Sequence, residues 1–467
     1  MYEGIMTKLW LLIVGVALSW AVCADYPSTY EPPPHAAFVL THAIVDIGEG
    51  QGEFNGWVSV ADGKIAAIGR MDEPTPGDAL EINAGGRWLT PGVIDVHSHL
   101  GDYPSPGYRA HSDGNEATSP VTAEVWAEHS VWPQDPQFPL ALAGGVTTLQ
   151  VLPGSANLFG GRSVVLKNIW SRTVQGMKFP GAPYGLKMAC GENPKRVYGG
   201  RSQSPSTRMG NFAGYRKAWI DAQEYQKKWV RFEKALGEYE LWRTSDEGES
   251  DYKEPPSPPK RNLQMETLVG VLKGEILVHN HCYRADEMAQ IIDLSHEFGY
   301  QVTAFHHAVE AYKIGDLLAA NNICSAMWAD WWQFKLESFD GIKENVAMVQ
   351  AAGACAIVHS DSATGIQRLN QEAAKAMAAG QRLGLRVDAS VALTWITRNA
   401  AQALGVADQT GTLAVGKMAD MVLWSHPPMS VYARAETVFI DGVRRLDRAA
   451  GLSPVTDFEL GQREEVF

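Results

Sequence analysis

One segment constrains this chain more than any other. It is an apolar run that ends in two histidines one residue apart, Leu89-Thr-Pro-Gly-Val-Ile-Asp-Val-His-Ser-His99. Side chains alternate across a β-strand, so His97 and His99 share a face and aim two imidazoles at one point. Four later apolar runs also carry polar groups within them or at their ends: Tyr184-Gly-Leu-Lys-Met-Ala-Cys190, Ile276-Leu-Val-His-Asn-His281, Gln301-Val-Thr-Ala-Phe-His-His307 and Ala354-Cys-Ala-Ile-Val-His-Ser-Asp361. Helical patterns, such as 286–298 and 370–383, alternate with these runs. That is the texture of βα units. A parallel barrel gathers the carboxyl ends of its strands around one mouth, so groups far apart in sequence converge there. The expected fold is therefore α/β, a TIM-like (β/α)8 barrel over residues 91–407, with a metal site in outline at its mouth.

The flanks read differently. Residues 36–90 alternate short apolar runs with turns, and Asp62-Gly63 is a hairpin signal. The texture returns at 408–446, so both chain ends are expected to meet in one small β-sandwich domain. An insertion at 210–262 interrupts the barrel. Its first part is helical, with Tyr225, Trp229, Phe232, Leu236 and Tyr239 recurring on one face, and an acidic, proline-rich stretch follows. A helix packed on the barrel with a solvated loop is one reading; a lid or a subunit contact, which leaves a homo-oligomer open, is the other.

At 467 residues and 45% hydrophobic, the chain can bury a barrel core and a second small domain. Its net charge of -13 argues against a nucleic-acid partner. Lys8 precedes the apolar run 9–22, which is too short for a comfortable membrane span, and Val22-Cys-Ala24 offers the small residues of a cleavage site. Residues 1–24 are therefore expected to be a signal peptide cut after Ala24. The mature protein would be periplasmic or secreted, with no stable membrane span. Cys190, Cys282, Cys324 and Cys355 would remain. Buried thiols are the default, and an exported protein could pair two of them.

Taken in order, Pro91-Gly-Val-Ile-Asp-Val-His-Ser-His99, Ala143-Gly-Gly-Val-Thr-Thr148, Gly185-Leu-Lys187, His279-Asn-His281, His307, Ser360-Asp361-Ser362 and the tail 411–423 resemble the amidohydrolase superfamily of metal-dependent hydrolases. Gly185-Leu-Lys187 and Ser360-Asp361-Ser362 are similar to the urease segments that carry a carboxylated lysine and a metal-bound aspartate. The segments 279–286 and 191–199 look closer to the imidazolonepropionase-related and secreted dipeptidase-like branches.

The resemblance implies two zinc-like ions. His97 and His99 would hold the more buried one, carboxylated Lys187 would bridge both, and His279 and His307 would hold the second. Asp361 would bind the first ion and shuttle a proton from a bridging hydroxide to the leaving nitrogen. Imidazole and carboxylate donors suit such ions, which lower the pKa of bound water. Lysine ligates only once its ammonium is neutralised. Glu192, five residues beyond Lys187, is the alternative fourth ligand. His281 shares a strand face with His279 and would touch metal or substrate, whereas His306, on the face opposite His307, reads as a packed histidine. Tyr283, Arg284, Arg196 and Tyr198 follow ligand-bearing strands and are candidates to bind a substrate carboxylate.

The expected function is that of an exported metal-dependent amidohydrolase that cleaves a C–N bond in an amide, an N-acyl amino acid or a cyclic amide. A metallo-dipeptidase acting on short peptides is the alternative within the class. An inactive binding or scaffold protein that kept the fold is the alternative outside it.

Overall fold

The structure is a computed structural model that describes residues 26–77, 79–245 and 252–451. The expected signal peptide, 1–24, lies outside the described residues. Five strands open the chain: β1 (Phe38–Val45), β2 (Phe54–Ala61), β3 (Lys64–Arg70), β4 (Leu80–Asn83) and β5 (Trp88–Pro91). The barrel strands follow: β6 (Val93–Ser98), β7 (Val146–Val151), β8 (Phe159–Lys167), β9 (Gly185–Ala189), β10 (Leu277–Cys282), β11 (Ala304–His307), β12 (Cys324–Met327) and β13 (Cys355–Val358). The chain returns to the first sheet with β14 (Met421–Trp424), β15 (Ala435–Ile440) and β16 (Val443–Asp447).

Both chain ends build one sheet, ordered β16-β15-β14-β5-β1-β2-β3, with β4 added on β1. Strand β5 is the splice, parallel to β1 and antiparallel to β14. Leu40, Val58 and Ile65 from the first segment and Leu423 and Phe439 from the last bury one core together, each such side chain being worth about 1.5–3 kcal/mol.

The barrel strands pair in chain order from β6 to β13. Strand β8 runs antiparallel to both β7 and β9, whereas every other pair is parallel. No helix separates β7 from β8. A fully buried apolar run looks the same in either direction, so the reversal has no signature in the sequence. Its consequence is that β8 ends at Lys167 away from the mouth, where the ammonium lies 2.7 Å from Asp441 and 3.3 Å from Asp420 and ties the barrel to the small sheet. The barrel closes through the segment after β13: the Asp361 amide donates to the carbonyl of His97 (3.0 Å), the Ser360 amide to Asp95 (3.2 Å), and the Ser360 hydroxyl to the same carboxylate.

The four cysteines form two disulfides, Cys190–Cys282 and Cys324–Cys355, with Cα separations of 5.2 and 4.4 Å. This replaces the default of buried thiols. Register is the reason, since Cys324 and Cys355 are direct cross-strand partners on β12 and β13.

The insertion is a 36-residue helix, Arg208–Arg243. Its first half docks: Tyr215 and Trp219 pack on Phe159, and Trp219 stacks on Tyr300 at 4.5 Å. Beyond Tyr225 the expected aromatic face is half-buried. Residues 252–262 run back along the helix, with Lys253 over the Trp242 ring and the Asn262 amide donating to the Tyr225 hydroxyl (3.2 Å). No described helix is long and apolar enough to cross a membrane.

Candidate metal centre

The mouth holds a cavity of about 360 Å³ whose wall includes His97, His99, Lys187, His281, His307 and Asp361. Asp361 sits in the middle, with Oδ1 3.5 Å from His97 Nε2 and 3.3 Å from His99 Nε2, and Oδ2 3.9 Å from His307 Nδ1. Two sets of donor atoms, His97/His99/Asp361 and His97/His307/His359, each lie within 4.8 Å of one another. His99 Nδ1 donates to the Leu152 carbonyl at 2.8 Å, which makes Nδ1 a protonated nitrogen and turns Nε2 toward Asp361. Nδ1 of His307 and Nδ1 of His359 are buried without a hydrogen-bond partner, a costly state for polar atoms unless something else satisfies them.

Electrostatics favour lone pairs over cations. Burial, reinforced by the Lys187 charge and the neighbouring rings, holds His97, His281 and His307 well below the usual imidazole range. Burial likewise lowers His359 to about 4. Burial lowers the Lys187 ammonium to about 7, against an opposing pull from Asp361. Its Nζ donates to the Pro153 carbonyl at 2.8 Å. For Asp361, burial works upward, but the His99 hydrogen bond and the charges of His99, His359 and Lys187 outweigh it and hold the carboxyl below its ordinary value. Neutral imidazoles, a carboxylate and orphaned nitrogens facing one space fit a divalent cation of zinc-like preference.

The structure places several residues differently from the sequence reading. His279 is absent from the cavity wall and from both donor sets. It pairs in register with Lys187, one step below the strand end. From that level the long lysine reaches the mouth, while the short imidazole stays inside the barrel, its Nδ1 2.9 Å from His306 Nε2. His281, two residues higher, lines the cavity but likewise belongs to neither donor set, and His279 keeps a buried Nε2 with no hydrogen-bond partner. His306 is inward as well, bridging His279 and His97 (Nδ1 to Nδ1, 2.8 Å). Strict alternation would then turn His307 outward. Its φ of 70° bends the backbone out of the strand conformation and brings its ring to the cavity too.

Glu192 lines the cavity but belongs to neither donor set. Tyr283 and Arg196 line it as expected of substrate contacts, whereas Arg284 and Tyr198 do not. Arg284 turns away to Asp286 (2.9 Å), and the buried Tyr198 hydroxyl donates to the Ser119 carbonyl (2.6 Å). Sequence reasoning missed His359, although it stands at the end of an apolar run as His97 does. It also missed Lys335, whose Nζ sits 3.8 Å from the Tyr283 ring centroid and 3.3 Å from Glu337.

The profile of the amidohydrolase family matches residues 88–445. The chain belongs to the amidohydrolase family. This amidohydrolase is 32% identical over 412 residues to amidohydrolase tasK of Hapsidospora irregularis, an alignment that takes in 85% of the chain and 40% of that relative. The chain thus spans well under half the length of this curated relative. A 118-residue stretch is 36% identical to an imidazolonepropionase of Bradyrhizobium sp. (strain BTAi1 / ATCC BAA-1182), covering 21% of this chain and 28% of that one. The crystal structure of an amidohydrolase from Thermotoga maritima MSB8 superposes with a TM-score of 0.75 at 34% identity, over 88% of this chain and all of that one.

Proposed function

We propose that this amidohydrolase is a metal-dependent hydrolase of a C–N bond in a small amide. The observation that carries the reading is the convergence of His97, His99, His281, His307 and Asp361 on one cavity with a lysine that burial brings toward neutrality. His97, His99 and Asp361 would hold one divalent ion and His281 and His307 a second, with Lys187, neutral enough to react with carbon dioxide, as the carbamate between them. His359, which forms a donor set with His97 and His307, is a further candidate ligand. Such ions supply a water of lowered pKa and polarise a carbonyl when bound.

The chain's own part is positioning and proton transfer. Asp361, ionised and central, takes the proton of the attacking water and returns it to the leaving nitrogen. The Leu152 carbonyl fixes the His99 tautomer, and the His97–His306–His279 relay fixes the orientation of His97. The reading extends to an exported enzyme: the apolar N-terminal run reads as a secretory signal, and two disulfides suit an oxidising compartment.

The test is metal content per chain after purification with zinc and bicarbonate, together with hydrolysis of an amide panel. About two ions in wild type, falling sharply in Lys187→Ala but not in Glu192→Ala, is the expected result. One ion lost only in Glu192→Ala would replace the lysine bridge with a glutamate-held site. No bound ion and no hydrolysis would overturn the function.

A further inference from the structure

The two disulfides differ in what covers them. Cys190 and Cys282, at the mouth end of β9 and β10, are 1% and 0% exposed. The docked half of the long helix lies over this pair: the Asn211 side-chain amide donates to the Gly191 carbonyl at 3.0 Å, and the Tyr215 hydroxyl donates to the Ala189 carbonyl, on either side of Cys190. Cys324 and Cys355 instead open β12 and β13 at the opposite, closed end of the barrel. Cys324 is 2% exposed and packed in the core. Cys355 is only half-buried and forms part of the wall of a cavity of about 220 Å³, whose rim residues Asn322, Gly353 and Gln402 are exposed.

This cavity suits a small polar thiol. Asn322, Gln350, Asn399 and Gln402 give it a polar wall, and Arg398, its one cation, is paired with Glu49 at 3.0 Å, so the wall offers hydrogen bonds rather than charge. Its volume is below that of sites that enclose a drug-sized molecule and matches the cysteinyl end of a short peptide. Access also decides which sulfur is attacked. Cys355 Sγ lies 3.9 Å from the carbonyl of Asn399, which belongs to the same wall, whereas Cys324 does not. A thiol entering the cavity therefore meets Cys355, with the more deeply buried Cys324 as the leaving sulfur.

We propose that Cys324–Cys355 is a thiol-exchange site and that Cys355 is the sulfur that small peptide thiols modify, while Cys190–Cys282 stays closed. The thiolate of the incoming peptide bonds to Cys355 Sγ as the Cys324–Cys355 bond breaks. Cys324 leaves with the electron pair and takes up a proton, which balances the one that the peptide thiol gave up. The products are a mixed disulfide on Cys355 and a free Cys324 thiol, and no external oxidant is needed. The attached peptide then stands against Asn399, whose side-chain amide donates to the Ala356 carbonyl at 2.8 Å. Asn399 belongs to the helix Arg398–Ala403, which packs Ala400, Ala401 and Ala403 into the core at this end of the barrel. Modification thus loosens the closed end and leaves the metal centre, at the other end of the strands, in place.

The zinc-loaded full chain is incubated with reduced glutathione, quenched, alkylated with N-ethylmaleimide and mapped by mass spectrometry without reduction. The expected result is glutathione on Cys355 and the alkyl group on Cys324, formed at least about tenfold faster than any opening of Cys190–Cys282. Gln402→Trp, which narrows the cavity from its exposed rim, should slow the adduct about tenfold and leave the melting temperature unchanged. The adduct-bearing protein should melt below the unreacted chain and hold the same amount of zinc. Glutathione on Cys324, or no adduct at all, would overturn the proposal. Both disulfides opening at one rate would assign the reaction to unfolding and overturn it too, as would a wild-type rate in Gln402→Trp. An adduct that melts with the parent chain, or that sheds zinc which the unreacted chain holds, would overturn the loosening of the closed end.

Discussion

His99 Nε2 lies 3.3 Å from Asp361 Oδ1, and the opposite face of the same imidazole is fixed by the Leu152 carbonyl. The contact joins the strand that opens the barrel to the loop that closes it, and it leaves Asp361 ionised at the centre of the mouth. Asp361→Asn keeps the shape and one oxygen donor but cannot carry a proton. The expected outcome is a wild-type melting temperature, at least partial metal retention, and a kcat lowered by about 10²–10⁴-fold, the range for a lost general acid–base group. Turnover near the wild-type rate would remove Asp361 as the proton carrier.

His281, rather than His279, lines the cavity, and the two exchange predictions accordingly. His281→Ala should lose about one ion per chain with little change in stability. His279→Ala should keep the metal more fully but unfold more readily, because it removes one of the two partners of His306 inside the barrel, leaving its Nε2 unpaired, and opens a void. Metal analysis beside thermal unfolding of the two variants separates them, and metal loss confined to His279→Ala would restore the sequence-based assignment.

That exchange shows where the sequence stops being legible. Apolar runs ending in His97-x-His99 and Ser360-Asp361 announce strands and a mouth, and the small sheet built from both chain ends follows from hairpin texture alone. What sequence spacing does not encode is depth along a strand. His279 and His281 share a face, and only the register with Lys187 shows which one reaches the opening. Periodicity also fails at His307, where a positive φ overrides alternation, and at β8, whose reversed direction leaves its pattern unchanged. Arg284 and Tyr198 follow ligand-bearing strands as expected, yet Asp286 and Ser119 capture them before they reach the cavity.

Glu287 supplies a pH test away from the centre. It is buried, neither carboxyl oxygen has a hydrogen-bond partner, and burial, against a weaker pull from Arg208 and with repulsion from Glu337, raises its pKa from 4.5 to about 7. Between those two values the folded state binds more protons than the unfolded one, so stability falls as pH rises through this window. Below about 4.5 no penalty remains, and above about 7 it is complete. Glu287→Gln mimics the protonated form. It should therefore unfold at higher denaturant than wild type at pH 8, by on the order of 3 kcal/mol at most, with the difference vanishing at pH 4. A gain that is the same at both pH values would assign the effect to packing instead of ionisation.

Gly191 joins the Lys187 strand to the helix that carries Glu192, Asn193 and Arg196. Its backbone, φ 76° and ψ -145°, is close to a region that side-chain-bearing residues avoid. A Cβ there would stand 2.2 Å from Glu337 Oε1, the atom that accepts the Glu192 amide at 2.5 Å. Gly191→Ala therefore strains the backbone and displaces the carboxylate that anchors the start of this helix. The cost should be about 1–3 kcal/mol in unfolding measurements. KM should rise more than kcat falls, because the rim residues shift while the proposed ligands on β6, β10 and the Asp361 loop stay in place. Adding Glu337→Ala to this variant relieves the clash but leaves the backbone strain and deprives the Glu192 amide of its acceptor, so it should recover at most a small part of the loss. Full recovery in the double variant would make the clash the whole effect, and no loss in Gly191→Ala would remove glycine's conformational freedom from the account of this site.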